Sequence, residues 1–172
     1  MIVVGDEVRA ALSAKQAVVA LESTIFSTLG LPSPANSEAL TRCSTAVRNA
    51  GAVPALTAVV DGVIWAGVPE ELQERVLSAS VKVAARDLGV ASAQRLPVGV
   101  TTVSASLAIA DQVGIEVFAT GGIGGVHRGS EITGDISSDL DAIARHRVTT
   151  VSAGAKAFLD LPLTLEYLET HS

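Results

Sequence analysis

The chain has 172 residues, of which 48% are hydrophobic, 17% charged and 3% aromatic, with a formal net charge of −6. That length holds one domain with a real core and excludes two comfortable ones, and the core has to be built from Ala, Val, Leu and Ile. The acidic balance excludes electrostatic attraction to nucleic acid or an anionic membrane, no apolar run is long enough to span a bilayer, and the single cysteine, Cys43, excludes an intrachain disulfide.

In chain order, Asp6, Glu7 and Arg9 follow Met1 almost at once, so no basic and apolar leader is expected and a cytoplasmic protein is. Residues 8–16 read as a helix, 17–21 (AVVAL) as a buried strand and 37–49 as a second helix, with Gly51 past its end as a stop signal. Cys43 falls on that helix, where a small apolar residue is expected to be buried. The runs 53–60 (VPALTAVV) and 63–66 (VIWA), joined by Asp61-Gly62, carry the strongest hairpin signal in the chain. Residues 69–77 read as a helix with acids in its first turn. Residues 101–113 (TTVSASLAIADQV) read as a helix of mostly small residues, against which something packs closely. Strands are expected over 115–119 and 148–152, a helix over about 138–146 between them, and a last helix over 162–170.

Strand-length runs alternating with helix-length segments make an α/β fold, and the hairpin makes its sheet mixed. The expectation is one domain over residues 1–172, a three-layer α/β/α arrangement with a mixed, mostly parallel sheet. The rhythm calls for a further strand after the last helix, so the sheet is expected to be incomplete as encoded.

Ligands of open α/β sheets collect beyond the carboxyl ends of strands, which directs attention to the residues just after each apolar run. Glu22-Ser23-Thr24 follows AVVAL, the glycine-rich stretch 120–129 (TGGIGGVHRG) follows IEVFA, and Ala153-Gly154-Ala155-Lys156 follows VTTVS. Lys156 is one of three lysines. Small neighbours leave room beside its amine, and an apolar setting would favour the neutral amine that a Schiff-base nucleophile requires; the alternative is a lysine that caps the strand end and reaches for water. Glu22 at a strand end suits a general acid, or a carboxylate that accepts from the Ser23 and Thr24 amides. Lys82 is either an anion partner for a phosphate or a surface cation paired with Asp87. Ser137 and Ser138 suit a helix N-cap, whereas Asp135 lies just before the cap and suits a hard divalent cation held through oxygen and water. The glycine-rich stretch fails the dinucleotide fingerprint, because His127 stands where the third glycine belongs, and it lacks the lysine-serine ending of a nucleotide P-loop.

Several motifs together carry a resemblance: Leu21-Glu22-Ser23-Thr24-Ile25, Pro32-x-Pro34-x-Asn36, Thr101-Thr102-Val103, the run ATGGIGGVHRG, Asp135-Ile136-Ser137-x-Asp139-Leu140, Ala153-Gly154-Ala155-Lys156 and Leu165-Glu166-Tyr167-Leu168-Glu169-Thr170. From about residue 15 onward the chain resembles the pseudouridine-5′-phosphate glycosidase family, also called the indigoidine synthase A-like family. The resemblance implies reversible cleavage of the C–C glycosidic bond of pseudouridine 5′-phosphate to uracil and ribose 5-phosphate, with manganese (Mn2+), in a homotrimer. It implies Lys156 as the Schiff-base nucleophile, Glu22 as proton donor and Asp135 as the metal holder. Ser137, Ser138 and Asp139 would line the substrate site, Lys82 and the backbone at Val103 would meet the substrate, and His127 would support the pocket. Two departures accompany it. The loop after Ile25 reads FSTLGLPSPAN where many members have a histidine and one residue fewer, and members of the family continue well beyond the last helix. A second reading is therefore an inactive truncated remnant that folds or oligomerises and retains sugar-phosphate binding. A third, an unrelated aldolase-like Schiff-base enzyme, requires the motif set to be coincidental.

Overall fold

A computed structural model describes residues 2–171. The strands are β1 (Ile2–Val4), β2 (Val18–Leu21), β3 (Val53–Val60), β4 (Val63–Ala66), β5 (Lys82–Val83), β6 (Val98–Thr101), β7 (Val117–Thr120) and β8 (Thr149–Ser152). The helices are α1 (Asp6–Ser13), α2 (Ala35–Asn49), α3 (Glu70–Leu77), α4 (Leu88–Ala93), α5 (Val103–Val113), α6 (Ser130–Thr133), α7 (Ser138–Arg145) and α8 (Leu161–His171). The sheet runs β1-β4-β3-β2-β7-β8, with β6 also on β3 and β5 on β6. Only the β3–β4 and β3–β6 pairs are antiparallel. The expected α/β fold with a mixed, mostly parallel sheet is the observed one.

β3 organises the sheet. Its first half pairs in parallel with β2, Val53 to Leu56 against Val18 to Leu21, and over residues 58–60 both its edges are taken, by β4 and β6. Its side chains alternate between two cores: Val53, Ala55 and Val59 face one, and Leu56, Ala58 and Val60 the other. The first core is closed by α1, α4, α5 and α7 through residues such as Val8, Ala91, Leu107 and Leu140, and the second by α2 and α3 through Leu40 and Val76. Helices on both faces make the three layers.

The hairpin ends fall where the sequence places them, because Asp61 (φ 51°) and Gly62 (φ 78°) both take the left-handed region that a two-residue primed turn requires. Elsewhere the apolar pattern misleads. Ile115 is buried but precedes the strand, and Thr101 ends β6 rather than starting a helix; α5 begins at Val103 with Thr102 as its cap, the side chain accepting from Ala105 N. β1, β5, β6 and α4 carry no period long enough to read, and β5 has two residues that exist as a strand only through β6. Cys43 is exposed rather than buried: α2 turns Asn36 and Leu40 inward and its second half carries no buried residue. Among the described residues no helix is long and apolar enough to cross a membrane.

Candidate active site

Three parallel strands deliver their carboxyl ends to one rim: β2 hands on to Glu22, β7 to the glycine-rich loop, and β8 to residues 153–156. β6 arrives from the opposite direction, and its last residue is tied to the end of β2, since Thr24 N and Thr24 Oγ1 both donate to Thr101 O, at 3.2 and 2.7 Å. The N-terminus of α5 thus opens onto the same rim. Glu22, Lys82, Val103, His127, Asp135, Ser137, Ser138, Asp139 and Lys156 all line one cavity there, of about 430 Å³. These are the residues that the sequence offers as catalytic, substrate-binding or metal-holding groups.

Glu22 is only 7% exposed, and its Oε1 accepts a hydrogen bond from Thr120 Oγ1 at the end of β7. Burial pushes its carboxyl up to about 7; the Thr120 bond works against burial, the Asp139 charge adds to it, and Lys156 and Lys82 oppose it. The Ser23 and Thr24 amides do not bond Glu22, because they are spent on Thr101. At neutral pH Glu22 is therefore poised to hold a proton and release it.

Asp139 is buried at the start of α7, with Oδ1 accepting from Ser104 N at 3.1 Å and Oδ2 from Gly124 N at 2.9 Å. One carboxylate thereby joins the first turn of α5, the glycine-rich loop and α7. Gly124 admits no side chain, because a Cβ would collide with Ser137 Oγ and stand 2.9 Å from Asp139 Oδ2. Ser137 is the N-cap of α7, accepting from Asp139 N, and Ser138 Oγ approaches Ser104 Oγ at 3.4 Å. Capping is thus the observed role of Ser137, which also lines the cavity.

Lys156 follows a parallel bridge between Ile123 and Ala155, with its own N–H donating to Ile123 O at 3.3 Å. Its side chain is exposed rather than enclosed by apolar neighbours, because the loop that carries it follows β8, an edge strand of the sheet. Lys82 is exposed too, and Asp87 is engaged by Arg86 and the Ala84 amide instead. His127 Nδ1 lies 3.7 Å from Asp135 Oδ2, and its ring tilts against Phe158 at 5.9 Å. Arg86, Thr24 and Phe158 also line the cavity. For Arg86 the sequence holds one signal, a second cation four residues after Lys82.

Among the described residues no three His, Cys, Asp or Glu side chains converge to hold a metal ion. Asp135 alone offers an exposed carboxylate to the cavity, a donor set that fits a hydrated hard cation keeping most of its water.

The family model described as indigoidine synthase A like protein matches residues 7–172. This chain belongs to the indigoidine synthase A-like family. Pseudouridine-5′-phosphate glycosidase of Mycoplasmopsis agalactiae is 51% identical over 171 residues, covering 98% of this chain and 56% of the relative. The protein of the same name from Methylobacterium nodulans is 55% identical over 166 residues, covering 95% and 49%. Among solved structures, the prealnumycin C-glycosynthase AlnA in complex with ribulose 5-phosphate superposes with a TM-score of 0.90 at 45% identity, covering 99% of this chain and 55% of that one. An indigoidine synthase A-like protein of Thermotoga maritima superposes with a TM-score of 0.81 at 36% identity. The chain spans about half the length of the curated relatives it matches.

Proposed function

We propose that this indigoidine synthase A-like chain carries the acid and the amine of a pseudouridine-5′-phosphate glycosidase, and that the C–C bond of the substrate is cleaved through a Schiff base on Lys156. The observation that supports this most is the pairing, in one cavity, of a buried carboxyl raised to about 7 with a lysine amine. A C-glycoside has no leaving heteroatom for an ordinary pair of carboxylates to protonate. Glu22 gives its proton to the ring oxygen as the C1′–O bond breaks and the Lys156 amine bonds to C1′. The adduct collapses to an iminium as the bond from C1′ to the uracil carbon breaks and that carbon takes a proton. Water then hydrolyses the iminium to ribose 5-phosphate and restores the amine.

Lys82, Arg86 and the N-terminus of α5 at Val103 supply the positive potential for the phosphate, and Ser137, Ser138 and His127 supply polar contacts to the sugar. Asp135 would hold Mn2+, which when bound supplies positive charge beside the anionic substrate. The same reading carries a cytoplasmic homotrimer.

Borohydride reduction with ribose 5-phosphate, followed by peptide mapping, tests the reaction: the label is expected on Lys156 and lost in Lys156→Ala. Label elsewhere, or none in folded protein, overturns it. A second reading is a chain that binds sugar phosphate without turnover: Lys82 and Arg86 line the cavity for an anion, while the exposed Lys156 amine lacks the apolar setting that a neutral nucleophile needs. It predicts that ribose 5-phosphate raises the melting temperature while no uracil appears from pseudouridine 5′-phosphate with manganese present.

A further inference from the structure

The proposed donor, Glu22, is bonded by one neighbour, Thr120, and shares its cavity with the charge of another, Asp139. Thr120 ends β7, and its hydroxyl donates to Glu22 Oε1 while accepting from Gly122 N at 3.3 Å, so it is oriented by the loop that it begins. Asp139 reaches the same cavity from α7 and is pinned there by the Ser104 and Gly124 amides, one to each oxygen. Both of its oxygens are thereby engaged by the chain itself, which makes Asp139 a fixed charge and a loop anchor more than a free hand for a ligand. We propose that Thr120 and Asp139 are positioning residues that set the protonation of Glu22, Thr120 favouring the carboxylate and Asp139 the acid.

The physical reason is the same for both, with opposite sign. A hydroxyl donates a stronger bond to a charged oxygen than to a neutral one, so the Thr120 bond holds the carboxylate form. A second negative charge fixed nearby in a desolvated wall disfavours a further one, so Asp139 holds the proton on Glu22. The other charged groups that face Glu22 are Lys156 from the loop after β8 and Lys82 from β5, both favouring the carboxylate; His127, Asp135 and Arg86 line the same cavity. The arrangement also couples acid to loop: the Asp139 charge that adds to burial in favouring the protonated Glu22 belongs to the residue that fixes Gly124.

This inference rests on Glu22 being the proton donor of the proposed reaction, yet its test needs no turnover. The Glu22 carboxyl carbon is followed by 13C NMR against pH in the free protein, with Glu22→Gln identifying the signal. Thr120→Val, nearly isosteric and outside the Asp139 clamp, is expected to move the midpoint up. Thr120→Ser, which keeps the hydroxyl, returns it towards the starting value, and Asp139→Asn moves it down. A midpoint unmoved or displaced the other way in Thr120→Val overturns the proposal, and that variant decides alone should Asp139→Asn not fold. A purely structural role of either residue would lower stability and leave the midpoint in place. Loss of Lys156 labelling with these shifts intact overturns the reaction and spares the inference; the reverse result overturns the inference alone.

Discussion

Glu22 carries its own stability signature. Its folded-state carboxyl is raised to about 7 from an ordinary value of 4.5, so the folded chain binds this proton more tightly than the unfolded one. Such a group contributes no penalty below about pH 4.5, and costs stability progressively as pH rises from there to about 7, reaching roughly 3 kcal/mol in the alkaline limit. Glu22→Gln removes that term. Urea unfolding is expected to show the variant gaining on the wild type as the pH goes from 4 to 8, by up to roughly 3 kcal/mol; a constant difference across that range refutes the assignment. Lys156 shows where residue-level reading stops. Small neighbours in VSAGAK indicated room beside the amine correctly, but room became exposure, because cover depends on what packs over the sheet edge and local spacing does not encode that.

At the level of elements, the site rests on a buried hydroxyl network. Ser23, Thr57, Thr101 and Ser106 are all fully buried, with Thr57 Oγ1 2.8 Å from Thr101 Oγ1, 2.9 Å from Ser106 Oγ and 3.1 Å from Leu21 O. The network joins β2, β3, β6 and α5 directly beneath Glu22. Thr57→Val keeps the shape and removes one member, leaving partners unsatisfied in a dry place, and is expected to cost about 1–3 kcal/mol in urea unfolding. A loss below a few tenths of a kcal/mol would mean that the partners re-pair. The small residues of TTVSASLAIADQV were legible as a close-packed helix, and the packing is there: Ala105, Leu107, Ile109 and Ala110 are fully buried. That two of its hydroxyl residues serve the site was not legible. Ser104 gives its amide to Asp139 and Ser106 bonds Thr57, and both partners lie more than thirty residues away in sequence.

For the whole molecule, the far side of β8 and much of α8 carry apolar groups without cover. Val151, Phe158, Leu161, Leu163 and Leu165 are all exposed, and of α8 only Thr164 is buried. Apolar surface left in water drives association. Concentration-dependent self-association is expected in sedimentation velocity, weakened by Leu161→Lys with Leu165→Lys, which lie one turn apart; unchanged sedimentation in the double variant would place the contact elsewhere.

The sequence by itself determined the α/β class, the hairpin and the set of residues at the rim. Apolar alternation, turn chemistry and motif order are local properties, and they survive folding unchanged. Only the tertiary structure decided which of those residues touch and in which state they sit. Glu22 is an acid in waiting because the fold buries it and α7 brings the Asp139 charge to its cavity, against the opposing hydroxyl bond of Thr120 from β7; both residues lie nearly a hundred positions or more along the chain. Charge, burial and hydrogen bonding act through space at a few ångströms, and that proximity is created by the β2–β7 pairing and the clamp on Gly124 rather than by any neighbouring letters.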